Sequence, residues 1–243
     1  MKQHHPPNIS LIVPAYNEEK RIPQTMAALS HYLDENHPGA ELIVVCDGCA
    51  DKTAETARNS FVGKECQLQV IELPENQGKG NAVKQGMLAA SGEYLFFTDA
   101  DLSFEPEVLG EFLQGLKNGA DIVVAQRKKE TQYTNSARSF VAVSSRWLVG
   151  NFVLPGIRDT QAGFKGFKRE AAKKLFAVAR IKRFLFDLEI LLLAHHKGYR
   201  IDKVYVDWVD RPGSTVRIYA ETVISLRDLL LILFWLATGQ YRY

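Results

Sequence analysis

Asp99 and Asp101 stand one residue apart in YLFFTDADLS, just past the apolar run Tyr94–Phe97. Two carboxylates this close repel one another, and a divalent cation between them removes the repulsion and keeps both ionised. Hard oxygen donors suit Mg²⁺ or Mn²⁺, which fill their other positions with water and a diphosphate. D-x-D alone also fits a helix cap beside a solvated Asp, so the neighbouring motifs matter. ENQGKGNA, Glu75 to Ala82, puts Gly78 and Gly80 around Lys79 where a strand-like run gives way to helical spacing. Such a turn brings backbone N–H groups and an ammonium to an anion, or simply starts a helix; no Ser/Thr follows Gly-Lys, so it is not a P-loop. Asp47 ends another apolar run and is suited either to accept hydrogen bonds from a base or ribose or to cap the helix that follows. Cys46 and Cys49 form a C-x-x-C with no second Cys/His pair, which is weak evidence for zinc or redox chemistry. The spacing gives no Ser-His-Asp or Cys-His arrangement.

These residues need elements to position them. NISLIVPAY, AELIVVCDG, LQVIEL, EYLFFTD and ADIVVAQR read as strands, and helical spacing separates them, as in Ile22, Met26, Leu29 and Leu33. Near-continuous apolar strands alternating with helices imply an α/β fold, a mainly parallel sheet covered on both faces. Ligands of such sheets bind beyond the C-terminal ends of the strands. Pro14–Glu18, Asp47–Gly48, Asn76–Gly80 and Asp99–Asp101 all fall at such ends. The second half is less regular: NSARSFVAVSSRWLVGNFVL reads as a helix, DTQAGFKGF as a short extended piece, KREAAKKLFAVA and LFDLEILLLAHHKG as helices, RIDKVYVDWVD as a strand.

A chain of 243 residues, 46% hydrophobic and 24% charged, can bury one large core. Three cysteines make no disulfide framework and favour a reducing compartment. MKQHHPPNIS has no apolar stretch of the kind a secretory leader carries, so none is expected. The net charge of +2 hides an asymmetry: residues 1–126 hold 9 Lys/Arg against 18 Asp/Glu, and residues 127–183 hold 14 against 3. The basic block is either a solvated face or a footprint for an anion or membrane surface; no nucleic-acid motif accompanies it. Leu229 to Ala237 is an unbroken apolar run, too short to span a bilayer, which takes roughly 20 residues. It reads as a buried helix or as an interfacial one flanked by Trp235, Tyr241, Arg242 and Tyr243.

PAYNEE, CDGCADKT, NQGKGNAVKQGM, TDADLS, RDTQAGFKGF, FDLEILLLA and VDWVDRPGSTV occur in the order seen in glycosyltransferase family 2. From about residue 9 onward the chain resembles the dolichyl-phosphate glucosyltransferases of that family and their polyprenyl-phosphate relatives. The resemblance implies a GT-A domain over residues 1–215 and a C-terminal helix over 216–243 that meets a membrane interface or a partner. It implies metal-dependent, inverting transfer of glucose from UDP-glucose to a polyprenyl or dolichyl phosphate, with Mg²⁺ or Mn²⁺ as cofactor. Pro14, Ala15, Tyr16 and Glu18 then border the nucleotide, Asp47 meets the base, Lys79 and Gly80 lie along the nucleotide, and Asp99 and Asp101 hold ribose or metal. Asp101, Asp159, Gln161 and Arg127 carry the catalytic roles. Gln161 and the Asp187/Glu189 pair line the sugar and acceptor pocket, and Arg127, Arg138, Arg211 and Ser214 meet the acceptor phosphate. The partners implied are a nucleotide-sugar donor, the lipid phosphate and an anionic membrane surface on its cytoplasmic side; oligomerisation stays open. Three positions depart from the family pattern. CDGC replaces DDGS, Ser103 stands where mannose synthases carry Gln, and Ser214–Thr215 replaces their Ser-Lys, the last two weakening a mannose reading. GDP-mannose as donor, a soluble acceptor, or a non-catalytic nucleotide-sugar or lipid-binding module are the alternatives.

Overall fold

The computed structural model describes residues 7–128, 157, 159–207 and 218–241. The helix expected at NSARSFVAVSSRWLVGNFVL lies outside the described residues, as do Arg138, Arg211 and Ser214. The elements run β1 (Ile9–Ala15), α1 (Ile22–Asn36), β2 (Glu41–Asp47), α2 (Thr53–Asn59), β3 (Gln67–Leu73), α3 (Lys79–Ala89), β4 (Tyr94–Thr98), α4 (Val108–Lys117), β5 (Ile122–Arg127), β6 (Phe164–Lys168), α5 (Arg169–Val178), α6 (Phe186–His196), β7 (Ile201–Val206) and α7 (Ile218–Ala237).

The strands form one seven-stranded sheet in the order β3-β2-β1-β4-β6-β5-β7. All pairings are parallel except those of β6, which runs antiparallel between β4 and β5. All seven residues of β1 are buried, because helices cover both faces of the sheet. Along β1, Leu11 and Val13 join the side chains of α1 and α4, including Met26, Leu33 and Phe112. Ile12 points the other way, into a core with Val83 and Met87 of α3, Leu175 of α5 and Leu191 of α6. Period-two alternation thus feeds two cores from one strand. The edge strand β3 has no fully buried residue.

The sequence shows β6 as extended but not as reversed. Phe164, its first residue, explains how it is held there. The ring meets Phe112 edge-on at 4.7 Å between centroids and lies 5.7 Å from Phe104 and 6.3 Å from Phe96. Such pairs contribute about 0.5–1.5 kcal/mol each beyond area burial. The cluster fixes where the chain enters the sheet, opposite Thr98.

The C-terminal helix α7 is neither wholly core nor wholly free. Ile232 is fully buried and Leu229, Trp235 and Leu236 pack partly against the α3/α5/α6 core. Leu226, Leu230, Leu233 and Phe234 are 43–61% exposed, at a spacing that puts them along one outer stripe. Among the described residues no helix is long and apolar enough to cross a membrane.

Candidate active site at the C-terminal edge of the sheet

The parallel strands all end at one edge, and β6 begins there. The loop from Asp99 to Ser103 leaves β4, the tight turn Asp47–Gly48 leaves β2, and Gln77–Lys79 leads into α3. Residues 159–163 return to the same edge, because Thr98 pairs with Phe164 while Val124 pairs with Lys165. Motifs far apart in sequence therefore meet.

The acid pair is built by its own turn. Asp101 Oδ1 accepts from the Ser103 backbone N–H at 3.1 Å and the Ser103 hydroxyl at 2.5 Å. Between them Leu102 takes φ +51°, a conformation uncommon for a bulky non-glycine residue. The buried Thr25 hydroxyl of α1 donates to the Ala100 carbonyl at 2.6 Å, locking the turn from behind. Asp99 Oδ1 pairs with Lys79 Nζ at 2.5 Å, both side chains about one-fifth exposed. Burial works against the Lys79 ammonium, but Asp99, Asp187 and Asp101 together raise its pKa above the usual lysine value. Gly163 lies against the other side of Asp99, where an added Cβ would overlap the carboxylate. Gly163→Ala is therefore expected to displace Asp99 and lower turnover at least about tenfold, with a stability loss of about 1–3 kcal/mol; kcat and the urea midpoint check the two parts.

Asp47 is 2% exposed, and its two oxygens accept from Gln77 N at 3.0 Å and Gly78 N at 2.7 Å. Its visible task is to shape the loop in front of Lys79. Gly78 has φ +108° and faces the Lys182 carbonyl, 2.6 Å from where a Cβ would stand. Gly80 abuts Phe186 and the carbonyls of Ile181 and Arg183, so its missing side chain lets α3 and the start of α6 approach. Pro14 and Ala15 are buried at the end of β1, and Tyr16 is 47% exposed. Glu18 holds Arg21 through both oxygens, at 2.6 Å to Nε and 2.5 Å to the guanidinium terminus. Arg21 is raised above its usual pKa first by that bond to Glu18, against burial, and also by the nearby charges of Asp101 and Asp99.

Arg127 and Asp159, both expected at the site, form an ion pair at 2.9 Å. Gln126 donates to the Asp159 carbonyl at 3.1 Å, so the end of β5 grips the start of the 159–163 loop. Gln161 is exposed on that loop. Asp187 and Glu189 do not act as a pair. Two residues apart on a helix, they point in different directions. Asp187 meets Lys165 at 2.7 Å, both side chains at most 3% exposed, and Lys165 also donates to the Ala162 carbonyl at 2.8 Å. Burial pushes the Asp187 carboxyl up while Lys165 and Lys79 pull it down, so Asp187 backs the Lys79–Asp99 contact. Glu189 is committed elsewhere: it accepts from Arg180 N, Ile181 N and the Tyr241 hydroxyl, at 2.9, 2.9 and 2.7 Å, tying α6 to the residues beyond α7. Arg21, Thr25, Gly163 and Lys165 have no sequence signal of their own, and Ser103 is read from the sequence only as a replacement for the mannose synthases' Gln. Only the short spacing of Ser103 from Asp101 carried a local signal.

Among the described residues no three His, Cys, Asp or Glu side chains gather to hold a metal alone. Two carboxylates on one turn still fit a hard divalent cation that takes its remaining oxygens from water and a diphosphate.

The model for glycosyl transferase family 2 matches residues 10–176. The chain belongs to that family. This glycosyltransferase is 35% identical to a dolichyl-phosphate beta-glucosyltransferase of Drosophila melanogaster, over 96% of its own length and 77% of the relative's. It is 32% identical to the Homo sapiens protein of the same name, again over 96% and 77%. Among solved structures, glucosyl-3-phosphoglycerate synthase from Mycobacterium tuberculosis, in complex with Mn²⁺, UDP and glucosyl-3-phosphoglycerate, superposes with a TM-score of 0.72 at 20% identity. That superposition covers 93% of this glycosyltransferase and 80% of the synthase. The expected GT-A architecture is thus observed.

Proposed function

We propose that this glycosyltransferase moves glucose from UDP-glucose to a dolichyl or related polyprenyl phosphate, with inversion, at the cytoplasmic surface of a membrane. The observation that carries the reading is the likeness to dolichyl-phosphate beta-glucosyltransferases along nearly the whole chain. Asp99 and Asp101 hold Mg²⁺ or Mn²⁺, which supplies charge neutralisation for the departing diphosphate. Lys79 and the backbone of Gln77–Gly80 lie along the nucleotide, and Pro14 to Glu18 and Asp47 frame it. A phosphate oxygen is anionic at neutral pH, so the acceptor requires little base catalysis, in keeping with a site whose described residues are carboxylates and cations. Asp159 orients Arg127, and Arg127, with Arg138, Arg211 and Ser214, receives the acceptor phosphate.

The outer stripe of α7 supports a membrane-surface location, with residues 216–243 acting as the contact. A stripe of Leu and Phe on a helix whose Trp235 stacks against Arg180 of the basic segment suits insertion among anionic headgroups. Replacing Leu230 and Phe234 by Glu is expected to weaken binding to vesicles of mixed neutral and anionic phospholipid by at least about 100-fold, at about 1.5–3 kcal/mol per apolar side chain. Flotation measures it, and activity on a short-chain, water-soluble polyprenyl phosphate should stay within about twofold if the stripe serves only the surface.

A partition assay tests the acceptor. Label from UDP-glucose should enter the organic phase when dolichyl phosphate is supplied and stay in water when 3-phosphoglycerate replaces it. A labelled, water-soluble glucoside of phosphoglycerate would assign a soluble acceptor instead.

A further inference from the structure

The C-x-x-C motif has no part in the chemistry above, yet it lies between two of the loops that frame the donor. Cys46 is buried one residue before the end of β2 and pairs in register with Ala15. The chain then turns at Gly48, with φ +63°, and brings Cys49 back over the same strand end. The Cys49 sulfur contacts the Asn17 N–H at 3.4 Å and the Ala15 carbonyl at 3.5 Å. Cys49 packs against the buried cluster that holds Cys46 and Ala15, so both cysteines lie on one face of the sheet, beside the same residue of β1.

We propose that Cys46 and Cys49 form a reversible disulfide that weakens donor binding when the protein meets an oxidising low-molecular-weight disulfide. The effect on the donor rests on the assignment of Ala15–Glu18 and Gln77–Gly80 as donor loops; the bond itself does not.

The chemistry follows from the order of accessibility. Cys49 is half-buried while Cys46 is 2% exposed. The neighbouring Cys46 side chain, against burial, holds the Cys49 thiol down at about 7, helped by Asn17 N–H and Thr53 and opposed by Asp51. The neighbouring Cys49 side chain, with burial, pushes the Cys46 thiol up. Cys49 is therefore the attacking thiolate. It displaces one thiolate from the external disulfide and forms a mixed disulfide. Cys46 then gives up its proton, attacks the Cys49 sulfur and expels the second thiolate. Two protein thiols are oxidised, one external disulfide is reduced to two thiols, and the protons of Cys46 and Cys49 pass to them.

Closing the bond draws the Cys49 sulfur to about 2 Å from that of Cys46. Cys49 then leaves Asn17 N–H and the Ala15 carbonyl. Asn17, at φ +54°, loses one of two ties to the turn, the other being its side-chain oxygen on Ala50 N at 2.8 Å. On the opposite side Asp47 carries Gln77 and Gly78, and the Gly48 backbone packs directly against Glu75 and Asn76. A shift between Cys46 and Cys49 reaches both loops. The third cysteine is apart from this: Cys66 is buried, pushed up to about 12 by burial and by Asp34.

The test treats the full chain with oxidised glutathione, then reads intact mass, a peptide map and UDP affinity with Mn²⁺ by calorimetry. The expected result is a Cys46–Cys49 bond, UDP affinity lowered at least about tenfold, and recovery with dithiothreitol. Cys46→Ser should stop at a glutathione adduct on Cys49. Cys49→Ser should show the same affinity before and after oxidant, whatever its starting value. Absence of the bond, or a bond that leaves UDP affinity unchanged, overturns the proposal. Reduced protein that binds no UDP contradicts the donor assignment and removes the affinity half of the proposal; the peptide map then judges the bond alone.

Discussion

Asp101→Ala is expected to lower turnover by about 10³-fold, roughly 4 kcal/mol of transition-state stabilisation, with the fold intact. The size follows from what the carboxylate does. On the proposed reading, transfer of the sugar leaves a nucleoside diphosphate behind, and Asp99 and Asp101 would hold the cation that neutralises its developing charge. Lys79 alone cannot replace it, because its ammonium is already shared with Asp99. The fold survives because the Asp101 hydrogen bonds are local, to Ser103, and Thr25 still anchors the turn through the Ala100 carbonyl. The check is kcat beside circular dichroism and a Mn²⁺ titration with UDP present. Turnover within about tenfold of the parent would mean that the acid pair does not hold the metal.

Lys165→Met has the largest expected effect on stability. Lys165 and Asp187 are a charge pair sealed between β6 and α6. Removing one partner leaves a buried charge without its counter-ion, at a cost of about 3–5 kcal/mol. That is a large part of the 5–15 kcal/mol typical of a whole domain. Replacing both, as Lys165→Met with Asp187→Leu, should restore most of the loss, since an apolar pair of similar volume carries no desolvation penalty. Urea midpoints of the single and double variants measure it. The double variant should still be impaired in turnover, because Asp187 also helps hold the Lys79 ammonium beside Asp99. Full activity in the double variant would assign the pair a purely structural role.

These two residues also mark where the sequence stops being readable. The strands β1, β2 and β4 announce themselves as unbroken apolar runs, and the site motifs fall at their ends because parallel strands all finish at one edge. The acid pair, Asp47 and Lys79 are legible for that reason, whereas Arg127 and Asp159 are reached only through the family resemblance. Lys165 is not: a lysine in FKGFK reads as a solvated edge residue, and only the reversal of β6 between two parallel strands buries it. Arg21 and Thr25 reach the site across α1, a contact that no local spacing encodes. Gly163 gains its meaning only once β6 pairs with β4 and brings residue 163 against Asp99. Conversely, Asp187 and Glu189 look like a functional pair in FDLEILLLA, but helical geometry separates them.

The central claim is that the acid pair at the end of β4 serves a nucleotide-sugar donor and a lipid phosphate acceptor. The most direct test offers the purified protein UDP-glucose, UDP-galactose, UDP-GlcNAc and GDP-mannose, each radiolabelled, with dolichyl phosphate in detergent, with Mg²⁺ or Mn²⁺ and again with EDTA. Label is counted in the organic extract. The account predicts transfer from UDP-glucose that EDTA abolishes, with the other donors at background. Folded protein that delivers no label to the organic phase from any donor, or label that EDTA leaves untouched, would contradict it.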